Sequence, residues 1–344
     1  MEHNPEVYTA WNWRREVIGP ALSDEASTST STSSSDAEGG NAEELKLKLA
    51  REELDLTERA LRRNPKCYSA WHHRRWILLG RPFLKHLLKP ELALVDKLLD
   101  ADSRNFHAWA HRRAVAAEAR VSPKEAEEAA LRRVEDNFSN YSAWHERSAT
   151  LLLEEAKKKN EKSSSSSSSS SSLPPVLSAS LLEKEFDLVR QAVFTDPEDQ
   201  APWLYHRWLL SQSVERFKRA KAKGEEGGEG GEGGREEERE EEAASALSAT
   251  LEAETEACEE LLEAEPDRSK CKWPLLTLAR LSAARAWLER SRGGEGEGDK
   301  GENASSLAPT PPADAVAIFE QLVVLDPLRK NFYRDAAAGR ARFV

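Results

Sequence analysis

Cysteine is scarce. Three residues in 344 (Cys67, Cys258 and Cys271) are widely spaced and form no CxxC pair. Such a set supports neither a disulfide framework nor a cysteine-rich zinc site, and it fits a reducing compartment. No apolar run reaches the roughly 18–20 residues that a membrane span requires. The opening residues show no signal-peptide pattern and the last four, ARFV, give no CaaX box, so a cytoplasmic protein is expected. Positive charge is also in deficit: the net charge of −11 excludes the basic footprint of general nucleic-acid binding. The glycines of 224–234 lack both a preceding strand and a Walker lysine, so they are no phosphate loop. No Ser/His/Asp or Cys/His arrangement can be assembled, and the chain alone does not read as a complete enzyme.

Large apolar residues are missing from four stretches. Residues 23–40, 160–175, 224–242 and 291–312 are Ser-, Gly- or Glu-rich. They bury too little to offset their ordering entropy and are expected to be disordered inserts in one helical-repeat domain spanning 1–344.

What remains is a repeat. Aligned on Trp, it reads NPEVYTAWNWRREVI (4–18), NPKCYSAWHHRRWIL (64–78, with a further Leu79), DSRNFHAWAHRRAVA (102–116), NFSNYSAWHERSATL (137–151) and DPEDQAPWLYHRWLL (196–210). A looser copy covers 265–276, and 326–335 is a half-copy with Tyr333 in the Trp slot. In the five clear copies Asn or Asp stands seven positions before Trp, and Arg follows three or four after it. The uninterrupted Trp-to-Trp intervals are 38 and 35 residues, the range of helical-hairpin arrays.

Each unit predicts a helix, a tight turn and a helix. Asn64 or Asp196 is expected as N-cap, with Pro65 or Pro197 at the first helical position. Tyr68, Trp71, Arg75 and Leu78 are spaced to share one face. Upstream amphipathic helices are expected at 42–63, 90–101, 123–135, 181–195, 246–264 and 313–325. No strand period is found, so the fold class is all-α: a right-handed α–α superhelix of antiparallel hairpins. Within it the Trp is expected to fill space between hairpins and to need a partner for its indole N–H. The recurring Arg is expected to meet an acidic residue or a helix C-terminus of the adjacent hairpin.

Candidate chemistry is thin. His107 and His111 are four apart on a predicted helix, but no third ligand or HExxH pattern accompanies them. His72 and His73 are adjacent and point apart. One departure among copies is informative: Lys66 stands where the others carry Glu6, Arg104, Ser139 or Glu198. A lysine beside a helix N-terminus gains nothing from the dipole. With Tyr68, and with Tyr8 as its counterpart one copy earlier, it forms a possible phosphate-binding corner.

The pattern N-P-x-x-Y-x-x-W-x-x-R-R resembles the repeat of protein prenyltransferase α subunits, and it covers nearly all the foldable chain. NFSNYSAWHERS, DPEDQAPWLYHRWLL, KWPLLTLARL and LDPLRKNFYRD are most similar to the Rab geranylgeranyltransferase (type II) branch. The resemblance implies a helical crescent wrapped around a β subunit that holds the catalytic zinc and most of the isoprenoid pocket. No metal is then expected on this chain. It implies further that Lys66 and Tyr68 contact the diphosphate of geranylgeranyl diphosphate, with Tyr8, Asn105 and His107 as fainter candidates. Rab GTPases and their escort protein would be the other partners. Ser69 stands where CaaX-reading members carry Gln, which sets this chain apart from the α subunit of farnesyltransferase and geranylgeranyltransferase type I. A helical-repeat scaffold without transferase activity is the reading from another class. The family carries a helical segment before the first copy, so this chain, opening MEHNPEVY, is expected either to lack the first hairpin's partner or to be truncated.

Overall fold

The computed structural model describes residues 1, 3–23, 37–163, 174–226, 233–267, 271–292 and 311–340. Among these there is no strand. The chain divides into two compact units, Met1–Ala129 and Ala130–Val344, where the repeat pattern alone suggests one domain. The first unit holds α1 (Tyr8–Leu22), α2 (Ala37–Arg63), α3 (Tyr68–Leu78), α4 (Lys85–Ala101) and α5 (Phe106–Glu118). The division falls within α6 (Pro123–Asp136). The second unit continues with α7 (Tyr141–Ser163), α8 (Ala179–Thr195), α9 (Gln200–Glu226), α10 (Gly233–Ala264), α11 (Lys272–Arg292), α12 (Ala313–Leu325) and α13 (Lys330–Ala337).

Each predicted helix is present, several of them longer than the pattern suggests. α4 begins five residues early and runs through Pro90. Parts of the predicted inserts are helical as well. Residues 37–40 open α2, 160–163 end α7, 224–226 end α9 and 291–292 end α11. Residues 233–242 form the first turns of α10. Their Glu and Arg are good helix formers, and they run straight into the apolar stripe of Ala243, Ala244 and Leu247. The centres of the predicted inserts, 24–36, 164–173, 227–232 and 293–310, lie outside the described residues.

The turn is built differently from the predicted N-cap. The Asn64 side chain accepts from the Lys66 N–H (3.1 Å), and the Cys67 N–H donates to the Asn64 carbonyl (3.1 Å). This is an Asx turn, and helix α3 starts only at Tyr68 with Cys67 as its cap. The same i to i+2 bond recurs at Asn4, Asp102, Asn137 and Asp196. The indole N–H of the copy's own Trp then locks the turn by donating to the carbonyl that follows the Asx residue. Trp11 reaches Pro5 (2.8 Å), Trp71 reaches Pro65 (2.8 Å), Trp109 reaches Ser103 (2.9 Å), Trp144 reaches Phe138 (2.7 Å) and Trp203 reaches Pro197 (3.0 Å). In the half-copy Tyr333 donates to Asp326 itself (2.9 Å). The looser sixth Trp, Trp273, reaches back to the carbonyl of Glu198 in the preceding turn (3.1 Å).

In three copies the recurring Arg meets an acid of the next hairpin, and the acid does more than pair with it; Arg112 pairs instead with Asp96 of its own hairpin, and Arg207 in the fifth copy is exposed. Glu53 on α2 accepts from Arg14 on α1 (2.7 Å) and from His73 on α3 (2.9 Å). Glu91 on α4 accepts from Arg74 on α3 (2.6 Å) and His111 on α5 (2.7 Å). In the second unit Glu185 on α8 accepts from Arg147 on α7 (2.7 Å) and Tyr205 on α9 (2.6 Å). These carboxylates are almost wholly excluded from water. One buried glutamate thus ties the second helix of one hairpin to the second helix of the next. The Trp of the earlier copy packs on the same His or Tyr: ring centroids lie 5.0 Å apart for Trp11–His73, 5.2 Å for Trp71–His111 and 4.6 Å for Trp144–Tyr205. Apolar residues close round these brackets, with Ile18, Leu22, Leu54, Ile77 and Leu84 in the first unit. Trp203, Phe217, Leu247, Leu276 and Phe319 belong to the core of the second.

Burial pushes the Glu91 carboxyl up, but the hydrogen bonds from His111 and Arg74 outweigh it and bring its pKa down to about 2. Burial holds the His111 imidazole below its ordinary value despite Glu91. Both groups take up protons more readily when unfolded, so both contribute stability that is lost as pH falls. The loss begins below the ordinary histidine value of about 6.5 and deepens between about 4.3 and about 2 as the carboxylate is protonated. Urea midpoints measured from about pH 7 to about pH 3 are expected to decline accordingly. Glu91→Gln is expected to flatten the acid limb and to cost about 3–5 kcal/mol at neutral pH, because the buried Arg74 guanidinium loses its counter-charge and keeps only the Leu54 carbonyl and Thr57 hydroxyl as neutral acceptors.

Candidate functional site

The turns that precede α1, α3 and α5 lie along one edge of the first unit, and bonds stitch each to the last. The Cys67 thiol donates to the Pro5 carbonyl (3.1 Å), and the Asn105 amide donates to the Pro65 carbonyl (3.0 Å). Each of those carbonyls also takes its own Trp indole, so cap and indole converge on one oxygen. Asn64 further donates to Glu6 (2.6 Å).

This edge displays the candidate residues. Tyr8, Tyr68 and Phe106 each occupy the first position of their helix, and all are about two-thirds exposed, at 65%, 68% and 67%. The predicted face is corrected here: Trp71 and Leu78 are buried with Arg74, whereas Tyr68 points to solvent and Arg75 is only half-buried. Tyr68 stacks on His72 with centroids 6.1 Å apart and meets His107 edge-on at 6.0 Å. His107 in turn packs against Phe106, at 3.8 Å. Arg15 bonds the His72 ring from α1. Burial lowers the pKa of both His72 and His107; Arg15 and Arg75 lower that of His72 further, while Glu6 opposes the shift at His107. At neutral pH the edge therefore offers neutral imidazoles and a phenol, with Lys66 as the cation beside them.

Lys66 lies in the turn, not in the first helical turn. Its ammonium sits 3.5 Å from Asp102, and both side chains are exposed, at 67% and 37%. An exposed pair of that length contributes little, about 0–1 kcal/mol, so an anionic ligand can displace Asp102 at small cost. The structure thus brings Lys66, Tyr68 and His107 to one edge with Tyr8 one copy along. Asn105 plays a different part. It is buried, its side-chain oxygen caps α5 by accepting from the His107 and Ala108 N–H groups, and its amide is committed to Pro65. It positions the edge.

The possible metal pair separates in the same way. His111 is buried against Glu91, while His107 faces Tyr68. Among the described residues no cluster of three or more His, Cys, Asp or Glu side chains is shaped for a metal ion. Nor is any described helix long and apolar enough to cross a membrane. Sequence reasoning missed the part played by His72 and Phe106. Phe106 could have been found by aligning it with Tyr8 and Tyr68 in the repeat.

The model of the protein prenyltransferase alpha subunit repeat matches residues 50–80, 88–118 and 182–213. The matched spans cover helix pairs α2–α3, α4–α5 and α8–α9, the three hairpins whose glutamates form the brackets. The chain is also similar to the geranylgeranyl transferase type-2 subunit alpha of Homo sapiens, 41% identical over 212 residues, and to that of Rattus norvegicus, 40% identical over the same length. Each alignment takes in 61% of this chain and 32% of the relative. The geranylgeranyl transferase type-2 subunit alpha 2 of Arabidopsis thaliana is 32% identical over 225 residues, covering 62% of this chain and 28% of the relative. The chain thus spans about a third of the length of the relatives it matches.

Because Asn105 caps α5, Asn105→Ala is expected to cost about 1–2 kcal/mol in urea unfolding. Asn105→Asp should recover most of the capping part and lose only the bond to Pro65. Equal losses for the two variants would contradict the capping role.

Proposed function

We propose that this chain is the α subunit of a heterodimeric Rab geranylgeranyltransferase, acting in the cytoplasm. The reading is supported by identity of about 40% to relatives named geranylgeranyl transferase type-2 subunit alpha. The observation that carries it into chemistry is the exposed lysine–tyrosine edge at Lys66 and Tyr68. A β subunit completes the site, with geranylgeranyl diphosphate lying between the two chains and Rab delivered by its escort protein. Zinc, which activates the Rab cysteine thiol, belongs to the β subunit in this reading.

This chain's share of the reaction is electrostatic. As the thiolate attacks C1 and the carbon–oxygen bond breaks, negative charge grows on the departing diphosphate. Lys66 leaves Asp102 and places its ammonium against that charge, and the Tyr68 hydroxyl donates to a phosphate oxygen. Both groups are anchored by a turn that Asn64 and Trp71 hold in place, so little reorganisation is needed as charge develops. Tyr8 and His107 flank the same position. A donor aimed at the leaving group counts most in the transition state, so its loss should appear in kcat more than in substrate affinity.

The test is co-expression with a type II β subunit, followed by transfer of geranylgeranyl to a Rab with and without escort protein. Lys66→Ala is expected to leave assembly intact and to slow transfer by one to two orders of magnitude, about 1.4–2.7 kcal/mol. Unchanged turnover would remove Lys66 from the site. Transfer to CaaX peptides without the escort would overturn the type II assignment.

A further inference from the structure

Four arginines are buried among the described residues, and three of them face a carboxylate: Arg74 with Glu91, Arg112 with Asp96 and Arg147 with Glu185. The fourth, Arg280 on α11, does not. Only 6% of it is exposed, its Nε meets no acceptor, and no carboxylate or carbonyl among the described residues bonds its guanidinium. α11 is buried almost all round here, with Leu276, Thr277, Ala279, Leu281 and Ala283 beside Arg280 in sequence.

Its electrostatic neighbours deepen the deficit. Arg207 on α9 is a like charge and is exposed. Tyr333 on α13 has already given its hydroxyl to Asp326, and Asp326 also holds Arg329 (2.7 Å). Burial, helped by Arg207, brings the Arg280 pKa down to about 10, which still leaves the guanidinium charged at neutral pH. A charge kept in this state is unfavourable in the isolated chain. It becomes favourable once a planar anion is supplied from outside, because the guanidinium fork matches a carboxylate edge-on. That is the ligand each of the other three buried arginines among the described residues takes.

We propose that Arg280, with Arg207 beside it, is a receptor for an aspartate or glutamate side chain of the β subunit; the partner's identity rests on the function proposed above. The contact supplies from the partner the carboxylate that the repeat supplies internally at Glu91 and Glu185. It gives the second unit an electrostatic half-interface of its own.

The experiment uses the full chain alone and with a β subunit, comparing wild type, Arg280→Met and Arg207→Ala. Arg280→Met removes a buried unpaired charge and keeps much of the volume. The isolated variant is expected to melt at or above the wild-type temperature, while its affinity for the β subunit falls about thirty-fold or more, the equivalent of about 2 kcal/mol. Arg207→Ala lies on the surface and should leave melting unchanged. It is expected to weaken the complex by a smaller factor and to reduce its dependence on salt.

A melting temperature lowered by several degrees in isolated Arg280→Met would place the missing carboxylate within this chain and overturn the proposal. So would wild-type affinity of Arg280→Met for the β subunit, with Rab transfer still proceeding; the function proposed above would then survive alone. Inorganic phosphate that stabilises the wild type but not Arg280→Met would assign the guanidinium to a small anion instead and overturn the proposal. A wild-type chain that binds no β subunit would overturn both readings.

Discussion

A carboxylate held between two donors inside a dry helix interface is the interaction on which this protein's repeats depend. Glu53, Glu91 and Glu185 each accept from an arginine of one hairpin and from a histidine or tyrosine of the next. A hydrophobic contact between helices tolerates sliding and rotation. A buried glutamate with two directional donors does not, because a shift that breaks either bond strands a polar group away from water. The imidazoles show how closely this is drawn. His73 and His111 turn Nε2 to the carboxylate, and the Nδ1 of each is left without a partner. The Trp ring packed on each histidine fixes the remaining freedom.

The second constraint lies in the turns. Asx side chain, following carbonyl and Trp indole form one closed set of bonds, repeated with distances that vary by only a few tenths of an ångström. In the first unit Cys67 and Asn105 join successive turns through the same carbonyls. Tyr8, Tyr68 and Phe106 are presented in a row because their helices all start at the same place in the repeat. The exposed edge is therefore a by-product of repetition, and Lys66 is the residue that sets one copy's turn apart from the others.

Much of this was legible in the sequence. The Trp-anchored repeat gave the helices, the all-α class and the need for a partner at both the indole and the arginine. The identity of those partners was harder to read. The Trp partner is a main-chain carbonyl, which leaves no side-chain signature. The carboxylates do leave one: Glu53, Glu91, Glu185 and Glu254 each stand eleven residues before the first residue of the following turn. That register lies on the other helix, outside the motif that draws the eye. The fourth copy breaks it, with Ala126 in the glutamate register and Glu146 at the position of His73, His111 and Tyr205. Asx residues favour both caps and turns, so residue type alone suggests an N-cap at Asn64; the proline after it and the i to i+2 bond decide for the turn. The placing of Tyr68 on the buried face failed for a related reason, since spacing within a helix says little about a residue at its very first position. The Glu-rich part of 224–242 misled because composition signals solubility, and a charged helix can begin in solvent before its apolar stripe starts.

The central claim is that the buried glutamate couples consecutive hairpins, and a double-mutant cycle around Glu91 tests it most directly. Arg74→Met, His111→Phe and the double variant would be compared by urea unfolding, each with Glu91 intact. Two donors that share one carboxylate should be strongly non-additive, with a coupling of about 1 kcal/mol or more. Additivity within about 0.3–0.5 kcal/mol would show that the two hairpins hold their register without the shared carboxylate, and would contradict the account.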